Sequence, residues 1–560
     1  MHQKVQKILK KSRQFFINIV NYTILINIIT KKDVLTKMEI YGGIQEETIG
    51  QEFSLFEDGS HNANLGFRSK FNKNYFVQTE VRANSFGGWT GIGEGRDKQW
   101  YPKDQFFANG LIRFEKNNHN VHYRLDYLNE TITNKGLRND NNPLKEPFGI
   151  DEDYITNRFD HQLQTDFSLG SIVGNGALSF SNYNRIIRQY SKNLVTGDEI
   201  VTTASEQNAT RYKKIFYRTT LSAPSKIYSG KNSLSGQLGM DGGVEFASGS
   251  RVEEIDKPIY DVGFFASSEI VLGKLSLRPG IRITYNSSYA STPTPSLNGK
   301  LKISEVSNLR FGYGRGYRAP SIRELYFEFE DGSHNIRGNK NLQPEYSHNI
   351  NADLSHEISK HKISFNSGAF YNYIDNRINY LYPALDDPTA LTTFINLLKY
   401  KTKGVNTTIN YKPGSWDINT GFSYIGQFQQ LEGATAAEVP EFTYTPSVNS
   451  RIQYNLNKAD MKFAAFYKYS GQTDAYELST DDEGNEFAQL TRREAYSMLD
   501  VTITKIWNKK ITVQLGIKNA MDVTAITSSR SGTHNSGTGQ ASVAYGRSYF
   551  AQMKFQLTKN

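Results

Sequence analysis

From about residue 37 to its end, this chain alternates apolar and polar residues with a period of two. Val121, Tyr123, Leu125 and Tyr127 alternate with His122, Arg124 and Asp126. Phe159, His161, Leu163, Thr165 and Phe167 alternate with Asp160, Gln162, Gln164 and Asp166. Met461, Phe463, Ala465, Tyr467 and Tyr469 form another such run, and Tyr549, Ala551, Met553, Phe555 and Leu557 form the last. Successive strand residues point to opposite faces, so each run reads as a strand with one apolar, aromatic face and one polar face. About 22 such runs follow one another at barrel-strand length. The sixth is expected to start near residue 157, the thirteenth near 307 and the fourteenth near 346.

The connections alternate short and long. Asn72-Lys73-Asn74, Lys116-Asn117-Asn118, Ser359-Lys360 and Lys412-Pro413-Gly414 are tight turns. Between them lie long stretches at 43–60, 86–104, 131–156, 188–208, 318–345, 476–495 and 524–547. Short turns on one rim and long loops on the other are the pattern of an antiparallel transmembrane β-barrel. A solenoid or propeller would carry a repeat of fixed period, and the sequence carries none. The fold class is therefore all-β: about 22 strands with short periplasmic turns and long extracellular loops.

Composition agrees. No apolar run approaches the roughly 20 residues of a membrane helix. A mean hydropathy of −0.56 is compatible with a barrel, because only alternate residues face lipid. The chain has 34 Tyr and 33 Phe for interfaces and loops, and no Cys, which excludes disulfides and thiol chemistry. The net charge of +9 suits an anionic lipid surface or an acidic ligand. There is no zinc-type histidine pair, nucleophile elbow or phosphate loop. An enzyme is not expected, nor is a cofactor, a protein metal site or a nucleic-acid partner.

The longest decorated connection follows the strand at Phe311, Tyr313 and Arg315. It breaks at Arg318-Ala319-Pro320, because proline cannot donate to a ladder and restrains the residue before it. It holds His334 and ends at Asn339-Lys340-Asn341-Leu342-Gln343-Pro344-Glu345.

These motifs resemble TonB-dependent outer-membrane receptors, which take up iron-siderophores, haem and cobalamin. Leu25-Ile26-Asn27-Ile28-Ile29-Thr30-Lys31-Lys32 is similar to the last strand of that family's plug. Gly316–Glu345 resembles its best-known barrel motif, and Gly516-Ile517-Lys518-Asn519-Ala520-Met521-Asp522 its penultimate strand. On this resemblance, residues 1–23 are unplaced, 24–35 are a remnant of the plug, most of which is absent, and 36–560 are the barrel. The resemblance implies the outer membrane, active uptake of a scarce iron chelate, LPS and other outer-membrane lipid as surroundings, a monomer, and TonB–ExbB–ExbD as partners of the complete receptor. Another TonB-dependent substrate such as cobalamin is an alternative. A passive barrel of porin or adhesin type is the rival from a different class.

Tyr317, Arg318, Asn339 and Asn341, with His334 between them, resemble the two boxes and histidine of haem receptors, although Lys340 stands where those usually have proline. Phe56 to Asn62 recurs residue for residue as Phe329 to Asn335, which pairs His61 with His334 as candidate haem-iron ligands. For a siderophore, Trp89, Arg96, Trp100 and Tyr101 are the candidate loop contacts, together with Arg138 and Arg318. Iron chelates of this kind are anionic and flat-faced, so cations and aromatic rings suit them.

Overall fold

The computed structural model describes residues 37–559, apart from 92–94, 142–145, 203–208, 231, 250, 253–257, 331–334, 382–391, 431–441, 481–485 and 530–538. The plug-like segment 24–35 lies outside the described residues. Twenty-two antiparallel strands form one closed barrel.

The first seven strands are β1 (Met38–Glu47), β2 (Ser60–Lys70), β3 (Tyr75–Phe86), β4 (Lys103–Lys116), β5 (His119–Lys135), β6 (Phe148–Leu169) and β7 (Ile172–Asn193). Next come β8 (Thr210–Ser222), β9 (Asn232–Ser248), β10 (Ile259–Leu272), β11 (Leu275–Asn286), β12 (Thr294–Lys302), β13 (Ser307–Arg318) and β14 (Glu345–Ile358). The circuit finishes with β15 (Ile363–Leu381), β16 (Thr392–Tyr411), β17 (Trp416–Gln430), β18 (Thr443–Leu456), β19 (Met461–Ser470), β20 (Tyr496–Trp507), β21 (Ile511–Lys518) and β22 (Ser548–Lys559).

Each strand pairs with its successor, and β22 pairs back onto β1, from Met38 opposite Lys559 to Glu47 opposite Phe550. Hydrocarbon offers an amide no other partner, so a membrane sheet must close without an edge. The long connections all lie on one rim, as the parity of the sequence requires. Tight turns on the other rim use left-handed residues such as Asn117 and Asp460, with φ of 54° and 47°. Asn and Asp accept that region more readily than other side chains.

The thirteenth and fourteenth strands begin at Ser307 and Glu345, where the alternation places them. The sixth does not. It begins at Phe148 and runs for 22 residues, about twice the 9–11 that span a bilayer. Its first half carries Asp151, Glu152 and Asp153 and stands clear of lipid, so no apolar period marks it.

The outer wall is apolar. Leu65 and Val81 are register partners, and both are exposed at membrane height. The inner wall is charged and paired. Arg68 binds Glu39, and Arg282 clasps Asp241 at 2.6 and 3.0 Å. Glu47 ties the closing seam. Its buried carboxylate accepts from Lys518 Nζ at 2.5 Å, Tyr545 Oη at 2.6 Å and Ser548 Oγ at 3.0 Å. These donors come from β21, the last long loop and β22, so one side chain holds the end of the chain to its first strand. Glu47→Ala removes all three bonds. It is expected to lower the midpoint of unfolding, with a loss of about 2 kcal/mol, read as an earlier heat-modifiability transition on gels. An unchanged transition would show that the seam does not depend on Glu47.

Candidate functional site

The loop 319–344 is fixed at its base. Arg318 closes β13 and Glu345 opens β14, opposite each other in register. Arg318 donates to Glu345 through Nε at 2.7 Å and Nη2 at 2.6 Å, and its Nη1 reaches Glu324 at 2.9 Å. Glu324 sits in a short helix, α1 (Ile322–Tyr326), started by a capping box with Ser321. Glu345 also accepts the Ile378 N–H at 2.8 Å. Leu342 is 1% exposed and packs with Leu325, Ile378 and Phe394 in a small apolar core under the loop. Asn339 donates to the Phe394 carbonyl at 2.8 Å and accepts the Asn341 N–H at 2.9 Å. Tyr317 is buried, its ring 5.5 Å from that of Tyr346. Thus Tyr317, Arg318, Asn339 and Asn341 all found the loop on the barrel rim.

The second long loop, 87–102, is likewise pinned. Trp89 and Trp100 form a backbone bridge, with rings 5.0 Å apart, and Trp100 meets Tyr545 edge-on at 5.7 Å. Arg96 donates to Asp151 at 2.7 Å and to the Gly136 carbonyl at 3.1 Å. It presses against Gly149, where any Cβ would strike the guanidinium. Arg138 pairs with Asp140 at 2.8 Å in the open. Of the residues in this loop singled out from sequence, Tyr101 lies within electrostatic reach of Tyr154.

His61 is the second residue of β2 and shares the parity of Leu65, on the outer wall. Its Nδ1 meets Glu46 and its Nε2 lies 2.6 Å from the Glu57 carbonyl. Both ring nitrogens are therefore occupied by oxygen partners. His334 lies outside the described residues. Among the described residues, no group of three or more His, Asp or Glu side chains is arranged to hold a metal ion.

A different set of side chains gathers at the mouth. Tyr154 on β6, Tyr183 and Arg185 on β7, and Tyr212 on β8 share the inward parity. Their strands are adjacent, Tyr183 faces Tyr212 in register, and those two rings are 6.0 Å apart. Arg185 lies over the Tyr183 ring at 5.8 Å and donates to Thr156 at 2.9 Å. Arg251 is within electrostatic reach of Tyr154 and Tyr212, and Arg323 of Tyr212. Arg251 and Arg323 come from two loops that are tied together. Val252 bridges Phe327, and the Glu328 N–H donates to the Arg251 carbonyl at 3.1 Å. Rings and guanidinium groups in one concave patch suit a flat anion. Local sequence gives no sign of the set as a group. The available signal was that Tyr183 and Arg185 occupy the polar parity of a long strand.

Two outcomes test the loop's foundation. Arg318→Ala leaves Glu345 buried without its cation, at a local cost of about 3 kcal/mol. Trypsin should then cut after Arg323 or Arg337 much faster than in the parent, and equal rates would contradict the clamp. The second outcome is a pH dependence. Burial pushes the Glu324 carboxyl up, but Arg318 and the Ser321 donors outweigh it and hold it below the usual range. Its stabilisation is thus present at neutral pH and lost as pH falls through that depressed value, on the acid side of an ordinary glutamate. A spin label at Lys340→Cys should gain mobility there and show no change between pH 6 and 8.

Comparison with known proteins follows the same geometry. The family model "TonB dependent receptor-like, beta-barrel" matches residues 52–520. The chain is 22% identical over 275 residues to an iron-regulated outer membrane virulence protein of Vibrio cholerae, covering 46% of this chain and 40% of that protein. The matched stretch thus spans well under half of that relative. Among solved structures, the siderophore receptor PirA of Acinetobacter baumannii has a TM-score of 0.70 at 13% identity, over 94% of this chain and 81% of its own. A mutant of the ferric enterobactin receptor PfeA of Pseudomonas aeruginosa, in complex with enterobactin, has a TM-score of 0.69 at 12% identity, over 94% and 82%. At these identities the structural likeness speaks for the fold.

Proposed function

Because the chain belongs to the TonB-dependent receptor β-barrel family of the outer membrane, we propose that it serves in active uptake of an anionic iron chelate of siderophore type. The observation that carries this reading is the mouth patch of Tyr154, Tyr183, Arg185, Tyr212, Arg251 and Arg323. A ferric siderophore built on catecholates presents flat rings and net negative charge. Tyrosine faces take the rings, and Arg251 and Arg323 take the charge. The structural neighbours named as siderophore receptors support the same ligand class, as does the iron-regulated relative. The family is one of receptors and transporters, so the expected event is binding and translocation without bond chemistry.

Energy for translocation would come through TonB and its ExbB–ExbD partners in the complete receptor. The barrel's part is selection. The bridge between loops 249–258 and 319–344 fixes the two arginines as a pair, so less ordering is needed when ligand arrives.

Binding decides the proposal. Ferric tricatecholate should quench the fluorescence of the refolded barrel, and Arg251→Ala/Arg323→Ala should weaken that binding about tenfold or more, consistent with two charge-assisted contacts. Haemin should bind more weakly to the parent chain. Equal affinity of the double variant, or tighter binding of haemin that is lost in His61→Ala, would overturn the siderophore reading.

A further inference from the structure

The turn rim carries a charge pattern that uptake at the mouth does not use. Every turn-side connection except the one between β6 and β7 holds a lysine in it or at its flank. Going round the barrel, Lys73 stands between β2 and β3, Lys116 ends β4, and Lys274 stands between β10 and β11. Lys360 follows between β14 and β15, Lys458 between β18 and β19, and Lys509 between β20 and β21. All six are exposed, and among the described residues none of them is in an ion pair.

Acids do not balance this rim. Within two residues of the turns they are Glu115, Glu305, Glu357, Asp417 and Asp460. Two of these are already engaged by other cations. Glu305 binds Lys302 at 2.6 Å, and Asp417 binds Lys412 at 3.5 Å and Arg451 at 3.0 Å. Two lysines also hold their places against the preference of the backbone. Lys362 and Lys509 are in the left-handed region, with φ of 53° and 56°. Glycine or asparagine fits that region with less strain, as Gly273 and Asn117 do in other turns. Turn geometry therefore does not account for lysine at these positions, whereas a positive charge does.

The lysines face water beneath the barrel. Phe71, Tyr75, Trp416 and Trp507 are exposed rings at the strand ends of this rim, and such rings mark the membrane interface. Lys73 lies in the turn between Phe71 and Tyr75, and Lys509 in the turn beyond Trp507, so both stand past that interface. With strands ~4.8 Å apart and tilted ~45°, successive turns are ~14 Å apart around the rim. That exceeds the ~8 Å Debye length of physiological salt, so each lysine acts as a separate charge. The pattern is a ring of point charges at one level, running round the barrel instead of gathering into one patch.

We propose that this rim docks on a flat, carboxylate-bearing polymer layer of the periplasm, chemically a glycan mesh with acidic peptide stems, as in peptidoglycan. An ammonium on a long, mobile stem donates charge-assisted hydrogen bonds to carboxylates without demanding one geometry. A layer parallel to the membrane meets many turns at once, and several weak contacts then combine by multivalency. A compact acidic protein would touch only one arc of the ring. Leaflet phosphates lie outside it, beside the aromatic strand ends.

Co-sedimentation of the full chain, refolded in detergent, with purified peptidoglycan sacculi tests the proposal, and heat-modifiability on gels confirms the barrel. The parent should sediment with sacculi at low salt and be released at high salt. Lys73→Gln/Lys274→Gln/Lys360→Gln/Lys458→Gln/Lys509→Gln should weaken binding at least tenfold, and the matching Lys→Arg variant should retain it. Sacculi whose carboxylates have been amidated should bind neither. Equal sedimentation of the parent and a folded Gln variant would overturn the proposal, as would undiminished binding to amidated sacculi. Lysine-dependent binding to phosphatidylglycerol vesicles, with sacculi left unbound, would also overturn it by assigning the ring to the leaflet.

Discussion

The structure depends first on closing one hydrogen-bonded ladder. An amide facing hydrocarbon has no partner outside the sheet, so every strand needs two neighbours and the last must return to the first. That requirement sets the antiparallel circuit, puts both ends of the described chain on the turn rim, and leaves all the long connections on the other. It also explains why Glu47 matters. The seam between β22 and β1 joins residues 501 apart in sequence, as the Ser548 bond shows, and a charged anchor holds it where chain connectivity cannot.

The same logic recurs one level up. Loops that reach over a mouth must be held, or ordering them would oppose ligand binding. Arg318 and Glu345 join the ends of the 319–344 loop at its base, and Leu342 gives that loop a core of its own. Trp89, Trp100 and Tyr545 do the same for two loops that meet across the seam. The loops that carry Arg251 and Arg323 are tied to each other by the Val252–Phe327 bridge.

The alternation made nearly all of the barrel legible. Period two follows from lipid on one side and water on the other, so it fails where that contrast ends. The first half of β6, with Asp151 to Asp153, stands above the bilayer and gave no period. The site was less legible. Arg318, Asn339 and Asn341 belong to a motif that sequence marks strongly, but the motif's physical task is to join a loop to a rim. His61 drew notice through a repeated heptad; in the structure its parity with Leu65 puts it on the outer wall, between Glu46 and Ser85 in register. The mouth patch draws on three strands and two loops, and no local pattern joins Tyr154 to Arg323.

The proposed uptake places the chelate at the inward patch of β6–β8 beneath the loops bearing Arg251 and Arg323. Diffraction at the iron absorption edge, from crystals of the barrel soaked with a ferric tricatecholate, measures that position directly. One anomalous peak is expected inside the mouth, between the Tyr154–Tyr212 wall and the two arginines. A peak on the outer wall beside His61, or one lodged elsewhere in the lumen with those arginines untouched, would contradict it.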